Sequence, residues 1–225
     1  MEVTLRRLTE LLLNITLAVV AVASVSMVSI RIYEKVKASG SDQLKSRRIE
    51  GWRSYAAVGN RIGPSNTTVT VVEFTDFQCP VCRAAWVDLQ DIRKQYPDRV
   101  ALVIRNFPLA MHPFAEDAAH AAECADSQGA FEPYYNLLFS RQSLIGSKGW
   151  SEFARRVGVS DIGAFEACLA HQGMQAVLER DRAAGKQLGV VGTPTLLIND
   201  LELPGYPGSA ELKRTIRSAL DAHGG

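Results

Sequence analysis

The stretch Glu73-Phe74-Thr75-Asp76-Phe77-Gln78-Cys79-Pro80-Val81-Cys82-Arg83 carries two cysteines three residues apart. The residues from Val69 to Phe74 are β-branched and aromatic, the composition of a buried strand. After the pair, from Ala84 to Tyr96, the apolar residues Ala85, Trp86, Leu89 and Ile92 recur at helical spacing. The cysteines therefore fall where a strand turns into a helix, and Pro80 suits the first helical position. There Cys79 meets unpaired backbone N–H groups and the positive end of the helix dipole, which both favour thiolate over thiol. Cys82 follows on the same face, close enough to close a disulfide. Redox chemistry is the leading reading.

Two blander readings compete, a zinc half-site and an inert disulfide. Structural zinc takes four ligands, usually a second cysteine pair or spaced histidines. Cys124 and Cys168 are single and far apart, and His112, His120, His171 and His223 form no ligand-spaced pair. No metal site is expected on that ground.

A second motif favours the redox reading over the inert disulfide. Gly189-Val190-Val191-Gly192-Thr193-Pro194-Thr195-Leu196-Leu197-Ile198-Asn199-Asp200 sets a proline at the mouth of an apolar strand. A proline removes a ladder donor, so it belongs at a strand's first residue, at an edge or in a special turn. With an upstream Cys-x-x-Cys and a helical stretch between, the sequence resembles the DsbA-like family of thioredoxin-fold thiol–disulfide oxidoreductases. The likeness runs from about Trp52 to Ala222, through Val71-Val72-Glu73-Phe74, Phe107-Pro108-Leu109, His112-Pro113 and Gly192-Thr193-Pro194-Thr195. It implies a cis proline at Pro194, packed on the active cysteines beside a groove for substrate peptide. It also implies that Glu73 is a buried acid serving proton transfer at the second cysteine. The best-known oxidases carry Cys-Pro-His-Cys, whereas Val81 here brings neither a donor nor a charge. A less stabilised thiolate and a less oxidising disulfide are expected from that change.

The rest of the chain fits one such domain with an anchor. Of 225 residues, 47% are hydrophobic and 22% charged, and the formal net charge is +1. These are ordinary values for a globular protein, and no basic, aromatic-rich run suggests nucleic acid. Strands are predicted at Val69–Asp76, Val100–Asn106, Thr195–Asn199 and Leu201–Leu203. Helices are predicted over Phe114–Gln128, Phe131–Phe139, Ser151–Val157, Asp161–Leu169, Met174–Leu188 and Ser209–His223, with Ser151 and Asp161 as N-caps. The order is an α/β thioredoxin core interrupted by a helical insert over about 114–188. The aromatic residues Tyr134, Tyr135 and Phe139 read as helix core. Four cysteines in an oxidising compartment point to a structural disulfide between Cys124 and Cys168; two buried free thiols are the alternative.

From Leu11 to Ile30 the chain has no charge, and 20 residues suffice to cross about 30 Å of hydrocarbon as a helix. A transmembrane anchor is expected, after a flank at 1–10 and before a basic linker at 31–51 and the domain at 52–225. A signal peptide cleaved after Ala21-Val22-Ala23 is the rival, giving a secreted protein. Arg6 and Arg7 precede the span and the stretch from Arg31 through Arg53 holds seven Lys or Arg, so the positive-inside rule points the domain inward. Disulfide chemistry points it outward, to the periplasm or cell exterior, and long domains translocate largely regardless of charge.

The expected activity is thiol–disulfide exchange on cysteines of extracytoplasmic proteins. Cys79 attacks, Cys82 resolves, Glu73 moves the proton, and Thr193 with Pro194 holds the substrate backbone. No cofactor is required, but a redox partner, placed in the membrane, must recycle the pair. A reductase or isomerase of the same fold is the alternative, as is a non-catalytic tethered peptide-binding module. A metal chaperone lacks the ligands.

Overall fold

The computed structural model describes residues 22, 24, 26–31, 46–171 and 173–222. The chain divides into two units, Met1–Lys45 and Ser46–Gly225. In the first, residues 22, 24 and 26–31 are helical. Most of the anchor expected at Leu11–Ile30 lies outside the described residues, as do residues 1–10 and residues 32–45 of the linker. No helix among the described residues is long and apolar enough to cross a membrane.

The second unit opens with β1 (Arg47–Arg48), α1 (Arg53–Ala56) and β2 (Asn60–Ile62). Then come β3 (Val69–Thr75), α2 (Pro80–Gln95) and β4 (Val100–Asn106). The insert holds α3 (Ala115–Asp126), α4 (Phe131–Ser140), a 3-10 turn (Gln142–Leu144), α5 (Trp150–Arg156), α6 (Ile162–Ala170) and α7 (Gln175–Leu188). The strands β5 (Thr195–Ile198) and β6 (Leu201–Leu203) and the helix α8 (Ser209–Ala222) close the fold. Six strands form one sheet in the order β1-β6-β5-β3-β4-β2. β3 and β4 run parallel and are buried along their whole length, so apolar residues fall on both faces of each strand.

Alternation along β3 assigns its side chains to two cores. Val69 and Val71 pack with Leu89 and Ile92 of α2, with Leu212 and Ile216 of α8, and with the aromatic residues of the insert. Val72 and Phe74 pack on the opposite face with Val103, Leu197, Leu188 and Val190, beneath Trp52 and Tyr55. There Arg105 and Asp181, both buried, form an ion pair at 2.7 Å, and Asp181 also accepts from Asn106 N–H at 2.9 Å. These contacts tie α7 to the end of β4.

The predicted strands and helices fall within a few residues of the observed ones, apart from three short elements. β1, α1 and β2 are too short and too polar to show periodicity. β1 falls in the stretch expected to be linker, yet Arg47 pairs with Glu202 and Arg48 with Asp200, and these ion pairs recruit a basic dipeptide to the sheet edge. Asp161 caps α6, accepting from Ala164 N–H at 2.8 Å. Ser151 does not cap α5, because that helix already starts at Trp150. Cys124 of α3 and Cys168 of α6 are joined by a disulfide with Cα atoms 5.9 Å apart. Closing a 44-residue separation stabilises by about 4 kcal/mol in the chain-entropy picture.

Gly185 lets α7 lie against the sheet. A Cβ there would come within 2.6 Å of the Phe107 ring and 3.3 Å of Phe74. Gly185→Ala is expected to destabilise the domain by about 1–3 kcal/mol through overpacking. Thermal unfolding should show a midpoint lower by several degrees, and an unchanged midpoint would mean that Phe107 yields freely.

Candidate active site

Strand polarity brings the two sequence motifs together. β3 pairs antiparallel with β5, placing Phe74 opposite Thr195, so the end of β3 meets the start of β5. β4 runs parallel to β3, with Thr75 opposite Asn106, so its exit also arrives there. Residues 76–82, 107–112 and 192–195 therefore converge at one edge of the sheet.

Cys79 is the N-cap of α2, in an extended conformation with Pro80 next in the helix. It is 5% exposed and Cys82 is fully buried, and both are free thiols. The peptide bond between Thr193 and Pro194 is cis, and the Cys79 thiol donates to the Thr193 carbonyl at 3.4 Å. The Cys79 pKa is lowered to about 5. The largest cause is a hydrogen bond from the Cys82 thiol; the Cys82 and Val81 backbone N–H groups and the Thr193 side chain add to it against the cost of burial. Cys82 moves the other way. Burial pushes its thiol well above the ordinary range, and the hydrogen bond to Cys79 and the nearby Glu73 carboxyl act in the same direction. One sulfur is thus held as a thiolate and its neighbour as a thiol.

Glu73 sits in the middle of β3 on the face that carries α2, fully buried. Thr75 and Tyr135 hydroxyls donate to its two oxygens at 2.9 and 3.0 Å. Desolvation outweighs both bonds and pushes its pKa up to about 7. A group that titrates near neutrality beside Cys82 can give or take one proton.

Two further residues shape the loop. Asp76, fully buried, accepts from Gln78 N–H at 2.7 Å, from Leu109 N–H at 2.8 Å and from the His112 ring at 2.8 Å. Its bond to the residue two positions on is an Asx turn, a signal legible in Asp76-Phe77-Gln78. Gln142, in the 3-10 turn of the insert, donates to the Phe77 and Cys79 carbonyls at 2.8 and 2.9 Å. Nothing in Gln142-Ser143-Leu144 announces that role. Cys124 and Cys168 lie on α3 and α6 of the insert, bonded to each other and outside this loop cluster.

Residues 57–218 match the sequence model of the family described as thioredoxin. The chain belongs to the thioredoxin family. A thioredoxin-like oxidoreductase from Silicibacter pomeroyi is 28% identical, with a TM-score of 0.60 over 72% of this chain and 92% of that one. The catalytic domain of Proteus mirabilis ScsC is 25% identical, with a TM-score of 0.62 over 82% and 96%. Pseudomonas aeruginosa DsbA2 shares the fold at 24% identity and a TM-score of 0.57, over 70% and 92%. This thioredoxin-family domain is thus similar to a thioredoxin-like oxidoreductase in sequence and to DsbA2 in fold. The Na(+)/H(+) antiporter NhaA of Herminiimonas arsenicoxydans is 31% identical over 160 residues, 71% of this chain. The chain spans about a quarter of the length of the curated relatives it matches.

The raised Glu73 pKa has a consequence for stability. Its ordinary value is 4.5, so between about pH 4.5 and pH 7 the folded protein holds a proton that the unfolded chain has lost. Stability from this group is complete below pH 4.5 and is lost as pH rises through 7, a difference on the order of 3 kcal/mol. Denaturant midpoints are expected to fall over that range, with Glu73→Gln flattening the Glu73 part of the fall. A Glu73→Gln profile parallel to the wild type would show that Glu73 is not the group responsible.

Proposed function

We propose that this chain is a membrane-tethered oxidoreductase that exchanges disulfides with cysteines of extracytoplasmic proteins. The observation that carries this reading is the placement of the two sulfurs, Cys79 at the N-terminus of α2 beside Thr193 and Cys82 fully buried one turn further in. In the reaction a substrate thiolate attacks Cys79 of the oxidised pair, forming a mixed disulfide and freeing Cys82. A second substrate thiolate then releases Cys79 and leaves with the disulfide. In the reverse direction Cys79 attacks and Cys82 resolves, its proton passing to Glu73. Thr193 and Pro194 flank the reacting sulfur, where the substrate backbone would lie. No metal or organic group enters these steps.

The oxidising direction is supported by the thiolate itself. Stabilising Cys79 favours the reduced form, so the disulfide form tends to pass its bond on. The Val81 side chain cannot help, and the donors are instead the Cys82 thiol, the Cys82 and Val81 backbone N–H groups and the Thr193 side chain. The tether is supported by the uncharged run Leu11–Ile30 and by the matched relatives, whose named activity, Na+/H+ antiport, requires a membrane. The extracytoplasmic side is supported by the chemistry, against the charge count. A membrane redox partner would restore the disulfide.

The test is a pair of substitutions. Cys79→Ser should abolish turnover, whereas Cys82→Ser should accumulate substrate adducts that vanish on adding reductant. Equilibration with glutathione buffers is expected to give a potential less negative than the about −270 mV of a reducing thioredoxin. Full activity in Cys79→Ser would end the enzymatic reading and leave the peptide-binding module. A potential at or below the thioredoxin value would make the protein a reductase.

A further inference from the structure

His120, Cys124 and Cys168 place a ring nitrogen and two sulfurs within 4.8 Å of one another, away from the active-site loop. His120 and Cys124 stand four residues apart on α3, hence on one face, and Cys168 comes from α6. Neither spacing resembles a zinc motif, because the third ligand is 44 residues further on. His120 is 8% exposed and accepts a 3.3 Å hydrogen bond at Nε2 from Met174 N–H, so the ring is neutral at that nitrogen.

We propose that reduction of the Cys124–Cys168 disulfide converts this cluster into a site for Zn2+. The proposal does not depend on the reading of Cys79 and Cys82. A dithiol reductant attacks the Cys168 sulfur, since Cys168 is half-buried and Cys124 fully buried. Two electrons and two protons pass to the disulfide, and the dithiol leaves as a disulfide. Zn2+ then displaces the two thiol protons into solvent and binds two thiolates and the neutral imidazole, with a fourth position for water. Bond lengths of about 2.3 Å to sulfur and 2.0–2.1 Å to nitrogen imply ligand separations of about 3.5–3.8 Å. The sulfurs part to that distance by side-chain rotation, and the ring nitrogen closes on them by about 1 Å. The ion then bridges the same two helices that the disulfide bridged, so the insert keeps its cross-link in either redox state. Two thiolates and an imidazole suit Zn2+ better than Mg2+ or Ca2+, which take oxygen ligands.

The experiment uses the full-length chain carrying Cys79→Ser and Cys82→Ser, so that those thiols do not compete. After reduction with a phosphine it is titrated with Co2+, the spectroscopic stand-in for zinc. Thiolate-to-cobalt charge-transfer bands should rise to one ion per chain, be absent before reduction, and be displaced by Zn2+. His120→Gln should weaken Co2+ binding by about tenfold or more, and Cys168→Ser should remove the two-thiolate spectrum. Circular dichroism monitors the fold in every sample. Absence of the bands from reduced, folded protein would overturn the proposal, as would bands unchanged by His120→Gln. Unfolding on reduction that neither Co2+ nor Zn2+ reverses would overturn it too.

Discussion

The chemistry of this domain depends on how β3 is paired. Parallel alignment with β4 and antiparallel alignment with β5 deliver three chain segments to one edge of the sheet. Reversing either neighbour would send residues 107–112 or the Thr193–Pro194 turn to the far end. The two buried cores, one on each face, hold that alignment. A one-residue slip of β3 would move Val71 and Val72 to the wrong faces and take Glu73 away from α2.

Within that frame, one negative charge is divided among three titratable groups. Burial raises the cost of charge at Cys79, Cys82 and Glu73 alike. Only Cys79 has enough donors to offset it, because it alone sits at the open N-terminal turn of α2. Cys82, one turn further in, gives its proton as a hydrogen bond instead. Glu73 lies between those extremes, held by two hydroxyls but fully desolvated. The asymmetry follows from position along a single strand–helix junction, with no side-chain donor at residue 81 involved.

The elements that carry this chemistry were legible because each leaves a periodic or punctuating signal. Val69–Phe74 reads as a strand, Pro80 as a helix start and Pro194 as a strand mouth. The convergence of the two motifs was not legible from spacing, since strand polarity is a property of pairing; it entered through the family resemblance. Gln142 escaped because a glutamine that clasps two carbonyls from a short 3-10 turn looks like any polar loop residue. β1 escaped because two arginines carry no strand signal until Glu202 and Asp200 are placed beside them. The cluster of His120, Cys124 and Cys168 leaves no spacing signal for the same reason, its third member arriving from another helix.

The central claim is that this fold holds Cys79 as a thiolate while Cys82 keeps its proton. The direct measurement is the ultraviolet absorbance of the thiolate in the reduced protein, followed against pH with Cys79→Ser as the blank. The account gives one thiolate appearing with a midpoint of about 5 and no second one near neutrality. A midpoint near the ordinary cysteine value of about 8.5 would contradict it.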